Sequence, residues 1–283
     1  MKRLILALVF CLFALQANAK TWIVDVNGGG DFTTIPAALN ASVSGDTIWV
    51  WPGEYRDPVD LNKAVVVIGS GYENTKIIVD NDPALVLRSG AKIMWFTITS
   101  KEGSGVEVMG GVLTNCVMRV SAGSGAKILG NNARVANCVF ALNNQQGIWV
   151  ENVPHVSTIL CNCIFFKNVG YGVYEDTYYG SVTGHYNCFY GNGGHYRGSY
   201  IGREGDLYGI DPNFISDYDY RISETSPCWD AGIPDEIDPD YSRSDMGVYG
   251  GPDAQVVPVV TDVRLKTNQD GTVTITATGK ATF

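Results

Sequence analysis

An Asn-Cys pair occurs four times within one stretch of this chain, at Asn115-Cys116, Asn137-Cys138, Asn162-Cys163 and Asn187-Cys188. The cysteines stand 22, 25 and 25 residues apart, a period that marks a solenoid. Two residues beyond each Cys comes another large residue (Met118, Phe140, Phe165, Tyr190). Polar turns follow at Asn144, Asn168 and Asn192, and a Gly then reopens an apolar run. A unit this short cannot bury a core of its own, so consecutive units must stack and share one. With 33 Gly and few long helical patterns, the units read as coils of short β-strands.

Alternation along the strands assigns their faces. In the strand that opens each coil, Val106, Ile128, Ile148 and Val173 point inward. The outward column then reads Glu107, Lys127, Trp149, Tyr174 and next Tyr196, with Glu151 and Asp176 beside it. After each Asn the expected inward pairs are Cys116/Met118, Cys138/Phe140, Cys163/Phe165 and Cys188/Tyr190. Val117, Val139, Ile164 and Phe189 are left facing out. An apolar outward column is out of place in water. The loop from Tyr196 to Asp230, the C-terminal tail or a partner chain is expected to cover it. The repeated cysteines read as small buried hydrophobes with free thiols. A bridge between coils about 4.8 Å apart stays open, and Cys161 and Cys228 carry no assignment.

Residues 1–19 read as a secretory signal peptide: Lys2 and Arg3, an apolar run, then Ala17-Asn18-Ala19. The expectation is a secreted or cell-surface protein. No later stretch has the length of a membrane span, so none is expected to insert after cleavage. Residues 20–252 form the coil domain, and 253–283 form a C-terminal β tail. Thr33 or Thr34 can cap a short helix with Pro36 in its first turn and Ile35, Ala38 and Leu39 on one face, closing the first coil. The tail signals a hairpin about Asp270-Gly271. Two strands are too few for a domain, so the tail either packs on the coils or begins a truncated domain. A net charge of −9 without a basic cluster argues against nucleic acid and anionic lipid as partners.

The N-terminal stretch GGGDFTTIPAALNASVSGDTIWVWPGEYRD, the Asn-Cys coils and DPNFISDYDYRISETSPCWDAG…SRSDMGVYGGP together resemble the pectin lyase-like superfamily of secreted bacterial proteins. The resemblance covers roughly Lys20 to Pro252 and implies an all-β fold, a right-handed parallel β-helix with a helical N-terminal cap. It brings no catalytic residue with it. The Asp-Phe-Ile-Phe-Gly and Gly-Arg-Pro-Trp runs of pectin methylesterases are absent, and Asp57 replaces the Glu of their Gly-x-Tyr-x-Glu pattern. The Asn-Thr-Asp and Gly-His-Gly of polygalacturonases and the Arg-x-Pro-x-x-Arg of pectate lyases are absent too.

The candidate sites therefore come from the residues themselves. Trp149, Tyr174, Tyr178 and Tyr179, with Glu151, Glu175 and Asp176, make an aromatic and acidic patch suited to stacking on sugar rings; outward strand positions also favour aromatics for β-propensity alone. Glu151 and Asp176 on adjacent coils are the candidate calcium ligands. Asp176, Arg197 and Arg203 are the candidate catalytic groups if the chain cleaves uronates by β-elimination, as calcium-dependent lyases of this resemblance do. Asp235, Asp238, Asp240 and Asp245 read as a capping turn, because Arg243 stands where a calcium loop has Gly. His155, His185 and His195 lack metal-ligand spacing. Three functions stay open: a polysaccharide-binding module, a calcium-dependent uronate lyase, and a structural spacer.

Overall fold

A computed structural model describes residues 19–151, 157–176, 181–198, 201–255, 257–268 and 272–282. One coil shows how the sequence makes a turn of the stack. Val106–Val108 runs straight, Gly110 and Gly111 take φ 150° and 79° at a corner, and Gly111–Thr114 follows. Asn115 makes the second corner at φ 47°, and Val117–Arg119 completes the turn. A side chain at Gly111 would meet the carbonyls of Arg88 and Ala91 at 2.6 and 2.5 Å, so this corner admits only Gly.

Each strand pairs in parallel with its counterpart in the next coil. This builds three sheets of seven, nine and eight strands, named here front, side and back in chain order around a coil. The architecture is a right-handed parallel β-helix of about eight turns. Its core runs along the axis through Val106, Leu113, Cys116 and Met118 and their equivalents, all fully buried. On the back sheet Phe140, Phe165, Phe189 and Tyr208 stack face to face, with centroids 5.1, 4.8 and 5.5 Å apart. At the turn into the front sheet, side-chain amides form a ladder. Asn143 Oδ1 accepts from the Ser121 amide at 3.0 Å, Asn168 Oδ1 from Asn143 at 3.1 Å, and Asn192 Oδ1 from Asn168 at 3.0 Å. The ladder residue is thus Asn143; Asn144, expected from the spacing, is exposed.

The helix Ile35–Ala41 closes the first coil as expected. Thr34 Oγ1 accepts from the Ala37 amide at 3.3 Å, and Ile35, Ala38 and Leu39 are buried. Lys63 Nζ donates to the Leu39 and Ser42 carbonyls at 2.6 and 2.7 Å, satisfying groups the helix end leaves open.

The fourth Asn-Cys pair is out of step with the other three. Ile164 pairs with Cys188 and Phe165 with Phe189, so this coil advances 24 residues where the one before advances 25. Tyr186, at φ 56°, takes the corner that Asn115, Asn137 and Asn162 hold elsewhere. Cys188 therefore faces outward and Phe189 inward, the reverse of the expectation, and Tyr190 leaves the core. The slip places the Phe189 ring in the aromatic stack of Phe140 and Phe165. The slip also lets Asn187 Oδ1 accept from the Cys163 amide at 2.9 Å.

The outward column of Val117, Val139, Ile164 and Cys188 is covered, as its apolar character requires. Residues 211–255 form a strap across the back sheet, and Tyr220, Cys228, Met246 and Val248 bury this column in a second core. The corner asparagines hold the strap in place. Asn115 Nδ2 donates to the Val248 and Gly250 carbonyls at 3.0 and 2.8 Å, and Asn137 Nδ2 to Asp245 at 2.9 Å. Asn162 Oδ1 accepts from the Ile233 amide at 2.9 Å. After the strap, Val257–Thr267 and Val273–Thr282 pair as an antiparallel hairpin. The Asp270-Gly271 turn and the signal segment lie outside the described residues, Ala19 excepted.

Candidate functional site

The front sheet carries the outward column that alternation foresaw. Glu107 pairs with Lys127, Lys127 with Trp149, Trp149 with Tyr174, and Tyr174 with Arg197. Five side chains thus stand in a line at strand spacing, about 19 Å from first to last. The fifth is Arg197 and not Tyr196, which shares the inward register of Val173. Aromatics sit in the middle of the line with cations against them. The Arg197 guanidinium lies 5.4 Å from the Tyr174 ring centre and the Lys127 ammonium 5.8 Å from that of Trp149. Lys127 also reaches Asp82 at 3.7 Å. Trp149 Nε1 is buried and has no hydrogen-bond partner among the described residues.

Glu151 and Asp176 do lie on adjacent coils. Each is exposed at its strand's exit, their amides donating to the Ile128 and Val150 carbonyls at 3.2 and 3.1 Å. Two carboxylates are fewer than a calcium ion takes from protein alone. Among the described residues no group of three His, Cys, Asp or Glu side chains could hold a metal. Glu175 is removed from the patch, because it pairs with Val150 in the inward register and is 4% exposed. Arg203 is not in the line of the front column. It sits at φ 67° beyond the last side-sheet strand, and its guanidinium lies 4.2 Å from the ring centre of inward-register Tyr196. Tyr178, Tyr179 and His155 lie outside the described residues.

Asp238 and Asp245 prove to be internal ties of the strap. Asp238 accepts from the Asp245 and Gly251 amides and Asp245 from the Asp230 amide. Burial raises their pKa values to about 6 and about 7.

Sequence reading missed a groove of about 590 Å³ on the side sheet, floored by Lys92, Val112, Arg134 and Ile159. Lys92 pairs with Asp253 at 2.7 Å, and Arg134 pairs with Glu236. The strap carboxylates thus spend both cations on structure. Only the outward position of Lys92 and Arg134 signalled this groove, and nothing local announced their distant partners.

With the coils, the cap and the site described, the class is a right-handed parallel β-helix. The family described as "Right handed beta helix region" matches residues 63–212, and the chain belongs to it. No curated protein matches the sequence. Among solved structures, pectin methylesterase from carrot is similar at 12% identity and a TM-score of 0.47, over 68% of this chain and 88% of that one. The PL6 family polysaccharide lyase from Pseudopedobacter saltans is similar at 16% identity and TM-score 0.41, over 61% of this chain and 47% of that one. The pectate lyase Pel9A is similar at 13% and 0.38, over 83% and 97%.

Proposed function

We propose that this is an exported or cell-surface β-helix module that binds polysaccharide along the outer face of its front sheet. The observation that carries the reading is the in-register line Lys127, Trp149, Tyr174 and Arg197. Aromatic faces offer large, rigid apolar contact. Their flanking cations and the nearby Glu151 and Asp176 supply charged hydrogen-bonding groups for hydroxyls and carboxylates. A line at strand spacing fits an extended chain better than a compact ligand. The test is retention of the protein by immobilised polysaccharides. The double variant Trp149→Ala, Tyr174→Ala should bind about tenfold more weakly or worse, and unchanged retention would remove the column from consideration.

A calcium-dependent uronate lyase is the second reading, favoured by Glu151 and Asp176 at equivalent positions of adjacent coils with Arg197 in the neighbouring column. In that reading a uronate carboxylate completes the shell of the two protein carboxylates around calcium, and Arg197 takes the proton. Absorbance of unsaturated uronate is followed on pectate, alginate and glycosaminoglycan, with calcium and with chelator. A calcium-dependent rise abolished by Asp176→Ala supports the lyase. A flat trace on every substrate leaves binding without cleavage.

A further inference from the structure

Six cysteines are described, all free and all buried, yet they differ in what surrounds them. Cys116, Cys138 and Cys163 belong to the axial core. The Cys138 thiol donates to the Ala136 carbonyl at 3.1 Å and that of Cys163 to the Cys161 carbonyl at 3.2 Å. As equivalent residues of consecutive parallel coils, Cys138 and Cys163 project side by side, and the Cys163 thiol adds to the burial that pushes the Cys138 pKa up. Parallel Cβ bonds stay near the strand spacing of about 4.8 Å, beyond the 3.5–4.5 Å typical of a disulfide.

Cys188 and Cys228 meet differently. The one-residue slip turns Cys188 outward, into the column of Val117, Val139 and Ile164. Cys228 comes down onto that column from the strap, in the same buried cluster. The Cys228 thiol is near enough to that of Cys188 to help push its pKa up, the Cys188 thiol donates to the Ile210 carbonyl at 3.5 Å, and both residues are 0% exposed. Cys228 is held on each side: its amide donates to Ser226 Oγ at 3.1 Å, and its carbonyl accepts from the Met246 amide at 2.9 Å. Two side chains approaching from opposed segments can bring their Cβ atoms within the roughly 3.5–4.5 Å typical of a disulfide.

We propose that Cys188 and Cys228 are a disulfide-forming pair that fastens the strap to the coils when the folding chain meets a disulfide oxidant. With oxidised glutathione as that oxidant, one thiolate attacks a glutathione sulfur and displaces the first reduced glutathione. The second thiolate then attacks the mixed disulfide and displaces the other. The Sγ–Sγ bond forms and the glutathione disulfide breaks. Two protein thiols are oxidised, one oxidant is reduced to two thiols, and their two protons pass to the leaving thiolates. Order matters in this exchange. The neighbouring Cys228 thiol and burial hold the docked Cys188 thiol well above its ordinary pKa, which makes it a poor nucleophile. The bond closes while the strap is still loose, and docking then shields it.

To test this, the full chain is refolded from urea in a glutathione redox buffer, denatured in alkylating agent and mapped as peptides without reduction. A linked pair of peptides carrying Cys188 and Cys228, with Cys116, Cys138, Cys161 and Cys163 alkylated, is the expected result. Alkylation of both Cys188 and Cys228, or their linkage to other cysteines, overturns the proposal. Melting supplies the second readout, since the bond closes a loop of about 40 residues. The oxidised protein should melt about 10 °C above the reduced one. Cys188→Val, which matches Val117 and Val139 of its own column, should melt alike in both buffers. Equal melting of oxidised and reduced native protein, or the same difference in Cys188→Val, would also overturn it.

Discussion

The front and back sheets are built from the same coils, but they present opposite surfaces. Outward from the back sheet run Val117, Val139, Ile164 and Cys188, and the strap buries all of them completely. Outward from the front sheet run Glu107, Lys127, Trp149, Tyr174 and Arg197, with no strap hydrogen bond or ion pair among the described residues. Each Val or Ile withdrawn from water contributes about 1.5–3 kcal/mol, so the back column can hold a segment that has little regular structure of its own. The front column has no such gain to offer the chain. What the contrast teaches is a division of labour: one outer face of the solenoid completes the fold, and another is left uncovered by the strap.

The sharpest way to break this contrast is to put the same charge on both faces. Ile164→Asp buries an unpaired carboxylate between sheet and strap, and the expected loss exceeds about 4 kcal/mol, read by urea denaturation. Tyr174→Asp on the front face should cost far less. Equal losses would mean that the front column is also a structural interface.

The corner asparagines give the next largest effect. Asn137 has φ 48° and a side chain bonded to the strap, so Asn137→Ala loses both the tolerated backbone conformation and the tie. The expected cost is about 2–3 kcal/mol. Asn137→Gly keeps the conformation and loses only the tie, so it should cost less than Asn137→Ala. If Gly and Ala cost the same, the strap is held by its apolar contacts alone.

These residues also mark what could be read before the structure was known. The Asn-Cys period announced stacking, and the alternation about Val106, Ile128, Ile148 and Val173 placed the front column from Glu107 to Tyr174 correctly. Thr34 and Pro36 announced the helical cap. The reason for the Asn was not legible, because Asn115 meets Val248 across 133 residues and no local pattern encodes such a contact. The slip at Tyr186 was hidden for a related cause. The fourth Asn-Cys pair keeps its spelling while the register follows the Phe140 and Phe165 rings. Where Arg203 lies was not legible either, because its corner and its stacking on Tyr196 depend on how the last coil ends.

Titration of the strap comes third. The native pKa values of Asp238 and Asp245, about 6 and about 7, lie above the ordinary 3.8 of an unfolded chain. The folded state therefore binds protons the unfolded state releases. That contribution is fully present below about pH 4 and is lost as pH rises through 6 and 7. The urea midpoint should fall between pH 5 and pH 8, and Asp245→Asn should flatten the fall. A midpoint unchanged over that range in the native protein would show that these carboxylates are not buried as the strap buries them.

The smallest stability effect is expected where the binding effect is clear. Arg197 is exposed, and its contact is with the Tyr174 ring at the end of the front column. Arg197→Ala should change stability by no more than about 0.5 kcal/mol, whereas retention on an acidic polysaccharide should weaken and lose part of its salt dependence. Arg197→Lys keeps the charge but lacks the planar group that stacks on Tyr174. If Lys restores retention, charge alone is read at that end of the column. If it does not, the stacked guanidinium is part of the surface the sugar meets. A variant that binds as well as the native protein would confine the ligand to Lys127, Trp149 and Tyr174, shortening the front face's working surface by one coil and leaving its contrast with the strapped face intact.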